Sequence, residues 1–283
     1  LIIYSSKECP SNITSKISKY LRQFELIGLP YWIFVENSAP IAIIAIGKEP
    51  LQLLAPPGTL MAMIRLIGEG QELDVLQRFV VESLRFLVDN NVEYAVVTLS
   101  ADKSGFISVL ENSGFDELDD FYVMVCPLNK VFEPSSLLKF QEVDRGDMRY
   151  FIKLAHEFMQ GSPDVTLTIA LQYFLELPES FIDFYYRLEK FYLAFKDDEP
   201  IGVLSINPKT GAISNIGVSS SQRGKGYGRQ IMLFGLKKLG EYGCKMAQLR
   251  VHVNNKPAIH LYESLGFTVK GRYKTLIWRC RET

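Results

Sequence analysis

Two stretches of this chain lie over one another without a gap. Residues 92–115, VEYAVVTLSADKSGFISVLENSGF, fall on residues 244–267, CKMAQLRVHVNNKPAIHLYESLGF, at an offset of 152. Ala95 meets Ala247, Ile107 meets Ile259, Glu111 meets Glu263, Gly114 meets Gly266 and Phe115 meets Phe267. Each stretch reads as an apolar strand, a turn, a short helix and a glycine stop. The bland alternative is a coincidence of two ordinary strand–helix–strand units. The order of the flanking elements also matches, which favours a duplicated domain, and the period is far longer than that of a solenoid. A length of 283 residues suits two average domains.

A break sits where duplication needs one. CPLNKVFEPSS, residues 126–136, has two prolines, an Asn-Lys turn and no hydrophobic period. It predicts one domain over residues 1–128, a linker over 129–136 and a second domain over 137–283. In the first half, YWIFVENSAPIAIIAI reads as two strands turning at Asn37-Ser38, and LMAMIRLIG as a third. A helix follows from Leu73, with apolar residues at helical spacing, to Asn90-Asn91. In the second half, helices are expected around GDMRYFIKLAHEFMQG and IALQYFLELPESFIDFYYRLEK, the latter interrupted at Pro178. Three strands turn at Asp197-Asp198 and Thr210-Gly211, and helix, strand, helix and strand close the chain.

Composition excludes several classes. The net charge of −1 gives no global case for nucleic acid or an anionic membrane. Cys9, Cys126, Cys244 and Cys280 form no CxxC pair, so no metal site is expected, and reduced thiols suit a cytoplasmic protein. No signal peptide is read at the start, and no apolar run reaches the ~18 residues of a membrane helix.

The sharpest local signal is SSSQRGKGYGRQIM, residues 219–232. It joins a strand ending NIGV to a helix beginning RQIMLFGLKKLG. A glycine-rich turn there presents backbone N–H groups and the positive end of the helix dipole, a ready anion site. Gly224, Gly226 and Gly228 let a phosphate approach with no Cβ in the way. A Walker loop needs Ser or Thr after its lysine, and Lys225 is followed by Gly226; a G-x-G-x-x-G fingerprint fails at Arg229. Residues 207–256 carry nine basic residues and one acid, which suits a polyphosphate ligand.

Arg223, Gly226 and Gly228 fill R/Q-x-x-G-x-G/A, and this resembles the pyrophosphate loop of the GCN5-related N-acetyltransferases, the GNAT family. The resemblance implies an α/β fold of the α+β type, with a central mixed, mostly antiparallel sheet flanked by helices in each of two GNAT-like domains. It implies that Arg223, Gly224, Lys225, Gly226, Tyr227, Gly228 and Arg229 hold the phosphates of acetyl-CoA. It also implies that the backbone of Ile216, Gly217 and Val218 binds the thioester carbonyl and pantetheine amides, and that Asn254 contacts the pantetheine arm or shapes the acceptor site. An N–H aimed at the developing oxyanion would stabilise it. Tyr262 falls where many members keep a tyrosine that protonates the departing thiolate, a phenol of pKa ~10 beside a thiol of pKa ~8.5; a packing tyrosine is the plainer reading.

Many members carry a glutamate on the strand before the loop. Here that strand, AISNIGV, has no carboxylate. His252 is a candidate base, though a strand histidine is more often a structural hydrogen bonder; His156, Glu157 and Asp164 border the expected acceptor pocket, and the base stays unassigned. Glu176, Glu179 and Asp183 among aromatics could hold a cationic amine, or belong to a plain amphipathic helix pair.

The first half differs. Its equivalent loop, LIGEGQELDV, lacks R-x-x-G-x-G, and residues 66–120 hold twelve acids and three bases. Asp102 stands where Asn254 does, and Leu110 where Tyr262 does. The first half is expected to be an eroded copy without a cofactor loop; tandem acetyltransferases with one live site, such as mycothiol synthases, are similar in plan. The leading expectation is an N-acetyltransferase moving an acetyl group to an amine-bearing small molecule or peptide by direct attack. The alternatives are a non-catalytic acyl-CoA sensor and a tRNA-dependent transferase of the Fem type. The latter group lacks this loop, and nothing here suggests an RNA surface.

Overall fold

The computed structural model describes residues 1–49, 54–67 and 72–280. The first unit opens with β1 (Ile2–Ser5) and α1 (Ser11–Ile27), continues through β2 (Tyr31–Glu36), β3 (Ala39–Lys48), β4 (Leu60–Leu66), α2 (Leu73–Asp89), β5 (Tyr94–Ser100) and α3 (Ser104–Asn112), and enters β6 (Phe115–Pro127). The second unit runs through β7 (Lys139–Glu142), α4 (Met148–Phe158), α5 (Val165–Tyr173), α6 (Glu179–Leu188), β8 (Lys190–Lys196), β9 (Glu199–Asn207), β10 (Ala212–Val218), α7 (Tyr227–Glu241), β11 (Met246–His252) and α8 (Lys256–Leu265) to β12 (Thr268–Arg279). The expected α/β class is observed, with mixed sheets flanked by helices. The elements β1 and α1 add to the sequence reading. Ile13, Ile17, Leu21 and Phe24 of α1 are buried at helical spacing, a period partly hidden by the serines and lysines between them.

The compact units do not divide at the linker. One comprises residues 1–120 with 273–283, the other residues 121–272. Backbone pairing is the cause. Residues 121–127 of β6 pair antiparallel with β11, from His252↔Phe121 to Met246↔Pro127. Residues 273–279 of β12 pair antiparallel with β5, from Tyr273↔Ser100 to Arg279↔Tyr94. Each unit is thus completed by a strand segment that belongs, in sequence, to the other half. The irregular segment after β6 belongs wholly to the second unit, where Phe132 is buried and Glu133 pairs with Lys237 at 2.8 Å.

The likeness between the two halves extends beyond the aligned stretch. The β2–β3 hairpin turns on Asn37 and Ser38 (φ 50° and 62°), and the β8–β9 hairpin on Asp197 and Asp198 (φ 50° and 66°). Paired positive φ values mark the tight hairpin turns whose twist matches the strands. Each hairpin also shifts register at the same place, between Phe34 and Val35 in one and between Ala194 and Phe195 in the other.

In the second unit the sheet has two apolar faces. One packs on α7 and α8 through Ile231, Leu236, Ile259 and Leu265; the other packs on α4–α6 through Phe151, Phe158, Leu171 and Ile182. The alternation of β11 puts Ala247, Leu249 and Val251 in the α7–α8 core and leaves Gln248, Arg250 and His252 for the α4–α6 face.

Candidate active site

The site begins with a sheet that opens. Strand β10 pairs with β9 along its length, from Ala212↔Asn207 to Val218↔Gly202. It pairs with β11, in parallel, only at Ala212↔Gln248. Beyond that position β10 and β11 part, and the β10 backbone from Ser214 to Val218 borders the resulting cleft. A β-bulge between Ser214 and Gly217 turns this edge, with Asn215 in the left-handed region at φ 46°. Bulges of this kind redirect the groups that follow them.

Ile216 and Val218 pack toward the α7–α8 core, and Gly217 faces α4. A Cβ at Gly217 would lie 2.9 Å from Met159 Cγ and 3.1 Å from Phe158 Cβ, so only glycine lets α4 close on the strand. The strand ends in the glycine loop. Gly224 and Gly226 have φ of 76° and 82°, and a Cβ at either would meet nothing within 4 Å, so the inner surface of the loop is open. Gly226 caps α7, which places the N–H groups of Tyr227 and Gly228 at the head of a 15-residue helix.

The predicted loop residues separate into two kinds. Arg223 is a brace: its guanidinium donates to the carbonyls of Val218 (3.1 Å), Phe158 (2.8 Å) and Gln160 (3.0 Å), tying the loop to β10 and the end of α4. Arg229 donates to Ser264 Oγ at 2.7 Å and ties α7 to α8. Lys225 is exposed and donates to the neutral Gln222 at 3.0 Å, so its charge is not offset by that contact. Tyr227 packs on the core. The local charge is also smaller than the sequence count implies, because Lys237 and Lys238 are paired with Glu133 and Glu241.

The two asparagines after β11 differ in role. Asn255 Oδ1 accepts from Ala258 N–H and caps α8, whereas Asn254 is exposed at the mouth of the same turn. His252 is 8% exposed, and its Nδ1 accepts from Asn254 N–H at 3.1 Å, so the ring holds that turn in shape. Tyr262 lies on α8 and is 5% exposed, its ring 5.8 Å from that of Phe267. Burial pushes its pKa up to about 12.

Two of the three acids read from sequence as an amine site, Glu179 and Asp183, are engaged. Glu179 pairs with Arg145 at 2.5 Å and Arg149 at 2.6 Å, and Asp183 pairs with Arg145 at 2.6 Å. Hydrogen bonds from Arg145 and Arg149 hold the Glu179 carboxyl below its usual range. Arg250 stands on β11 with its guanidinium 3.7 Å above the Phe121 ring, near Asp164 (3.9 Å) and Thr166 (3.3 Å). Desolvation lowers its pKa to about 10.

Residues 156–267 match the model of the Acetyltransferase (GNAT) family. Residues 156–267 are a GNAT-family domain. Mycothiol acetyltransferase of Thermomonospora curvata is 40% identical over 80 residues, 27% of this chain and 27% of that protein. The Corynebacterium glutamicum protein of the same name is 38% identical over 63 residues, 22% of each chain. The matched segment thus spans about a quarter of the length of these relatives. The fold likeness is wider. A GCN5-related N-acetyltransferase from Sphaerobacter thermophilus superposes with a TM-score of 0.66 over 94% of this chain and 86% of its own, at 16% identity. A tandem GNAT protein from the clavulanic acid biosynthesis pathway gives 0.58 over 90% and 84%, at 14% identity.

Within the matched residues, the hydrogen-bonded group Glu189, Ser205 and Ser214 and the helix-capping Asn255 were not singled out from sequence. The capping pattern of Asn255 before Lys256-Pro257 was legible; the others are joined only by the sheet. Among the described residues no group of three or more His, Cys, Asp or Glu is placed to hold a metal, and no helix is long and apolar enough to cross a membrane.

Proposed function

We propose that this chain transfers an acetyl group from acetyl-CoA to an amine, both substrates being held together in the cleft where β10 leaves β11. The carrying observation is that parting: it leaves a strand edge, with its backbone donors, running into an open glycine loop at a helix N-terminus. On this reading the N–H groups around Gly226–Gly228 hold the pyrophosphate, Lys225 adds a charge-assisted contact, and Arg223 keeps the loop in shape. The β10 backbone at Ile216–Val218 receives the pantetheine amides and steadies negative charge on the thioester carbonyl oxygen. Asn254, exposed beside the α8 start, meets the pantetheine arm. Tyr262 returns a proton to the thiolate; a pKa raised by burial keeps that proton in place until the sulfur is charged.

The first unit serves as a scaffold without its own acetyl-CoA, an eroded copy of the second. The acceptor is a small amine or peptide; the mycothiol acetyltransferase names of the relatives make mycothiol-related amines one candidate for the panel. All four cysteines are free, which suits a reducing compartment such as the cytoplasm. Acetyl-CoA should be incubated with a panel of amines, amino sugars, amino acids and peptides, following thiol release. The expected result is release that depends on one acceptor class. Two observations favour a second reading, an acyl-CoA sensor: β10 has no carboxylate and Tyr262 is packed in the core. Tight acetyl-CoA binding with no turnover across the panel would select it.

A further inference from the structure

The transfer reading leaves one proton without a destination, and the fold supplies a carboxylate that the sequence of β10 does not. Glu189 is the residue between α6 and β8. Its Oε2 accepts from Ser205 Oγ at 2.6 Å, and its Oε1 accepts from Ser214 Oγ at 3.0 Å. The two serines are direct cross-strand partners on β9 and β10, 3.2 Å apart, and Asn215 Nδ2 donates to Ser205 Oγ at 3.0 Å. The row therefore crosses the α4–α6 face of the sheet from Glu189 to the bulge.

Its two ends differ. Ser205 is fully buried, whereas Ser214 and Glu189 are partly exposed. Ser214 is also the second residue of β10 beyond the last pairing with β11, so it stands where the cleft opens. Three residues further along is Gly217, a separation of about 10 Å at strand spacing, which the bulge shortens. Three other carboxylates of this layer are engaged elsewhere: Glu179 and Asp183 are held by Arg145 and Arg149, and Asp164 caps α5 and lies by Arg250.

We propose that Glu189, acting through the Ser214 hydroxyl, accepts the proton that the acceptor amine gives up. This rests on the transfer reading above. The new C–N bond forms as the C–S bond breaks. The nitrogen then sheds one proton to Ser214 Oγ, which passes its own to Glu189, while the sulfur takes the Tyr262 proton. Both side chains reset by exchange with solvent, so the net change is one proton moved from nitrogen to sulfur. Glu189 is a positioning and proton-accepting residue, since Ser214 stands between it and the substrate.

Glu189→Gln keeps the shape and can still accept from one serine, but it cannot take the proton. It should lower kcat by about 10²-fold while leaving the acetyl-CoA Kd and the thermal midpoint nearly unchanged. It should also remove the acid limb of the kcat–pH profile. Other titratable or charged groups on surrounding elements include Tyr185 and Arg187 on α6, the Lys190–Glu142 pair on β8 and β7, and Arg250 and His252 on β11. Tyr185→Phe and Lys190→Met should leave that limb in place. Ser214→Ala, which breaks the relay and spares the carboxylate, should lower kcat similarly. Wild-type kcat and pH profile in folded Glu189→Gln, or full activity in Ser214→Ala, would overturn the proposal and leave acetyl transfer standing. A wild-type protein that binds acetyl-CoA but acetylates nothing in the panel would instead overturn the transfer reading, and this inference with it.

Discussion

From their second strands onward the two units place the same elements in the same order, yet among the described residues only one opens. In the first unit β4 and β5 stay paired in parallel over four positions, from Met61↔Tyr94 to Ile64↔Val97, and β4 follows β3 without a register shift. In the second unit the corresponding strands β10 and β11 pair at one position, and β10 carries a bulge against β9. A paired strand has its N–H and C=O groups satisfied; a parted one must offer them to solvent or a ligand. Beyond the ends of β4 and β5, the first unit has a hollow of about 260 Å³ lined by Leu66, Ile67, Leu73, Leu76 and Asp102 among others. Its lining is mostly apolar, with an acid where the GNAT domain has Asn254. The glycines of its LIGEGQ loop, Gly68 and Gly70, lie outside the described residues. Among the described residues the two units thus share their packing, while the parted strand and the open glycine loop belong to the second.

The largest test of this contrast is the number of sites. Titration with coenzyme A at physiological salt should give one site per chain. Two equivalent sites would break the comparison. Next is the loop itself. Gly226→Glu puts a carboxylate where a phosphate should sit and forces a φ of 82° on a residue with a Cβ, a strain of about 1–2 kcal/mol. Calorimetry should find coenzyme A binding lost while circular dichroism shows the fold intact; unchanged affinity would remove the loop from the site.

Tyr262→Phe comes third. Turnover should fall by about 10²–10⁴ with little change in the acetyl-CoA Kd. The first unit has Leu110 at this place, so this hydroxyl has no counterpart there. Its active form as an acid is the protonated one, and its pKa is raised to about 12. Turnover should therefore not decline through pH 10 on its account. The same shift favours folding in full below an unfolded pKa of ~10, and that contribution is lost as pH rises from there toward 12. A Phe variant with wild-type turnover would reduce Tyr262 to packing.

The smallest effect sharpens the comparison at the helix starts. Asn255 caps α8, whereas α3 begins at Lys103 with no side-chain cap. Asn255→Ala should cost about 0.5–2 kcal/mol in thermal or denaturant unfolding and change acetyl-CoA affinity little. Asn254→Ala should do the reverse, weakening binding and sparing stability.

Much of this was legible in the chain. The hairpin turns, the interruption at Pro178 and the strand–loop–helix around Gly224–Gly228 each rest on local chemistry: residues that tolerate positive φ, a missing N–H, glycines before a helix. The offset of 152 was visible because it runs without a gap. A second register was missed. Pro40-Ile41 falls on Pro200-Ile201 at an offset of 160, the pair that opens β3 and β9, and the eight-residue difference between the offsets hid it.

Sequence alone determined the loop, the repeat and the class of fold, because periodicity and backbone preference act between near neighbours. Three things were decided only by the tertiary structure. The units exchange their last strand segments, because β5 and β11 are each completed by a distant partner. The Arg223 guanidinium, read from sequence beside a phosphate, is met by carbonyls of α4 and β10 and braces the loop. Glu189 reached Ser214 across two strands and 25 residues, because a sheet brings side chains together by register and not by separation along the chain.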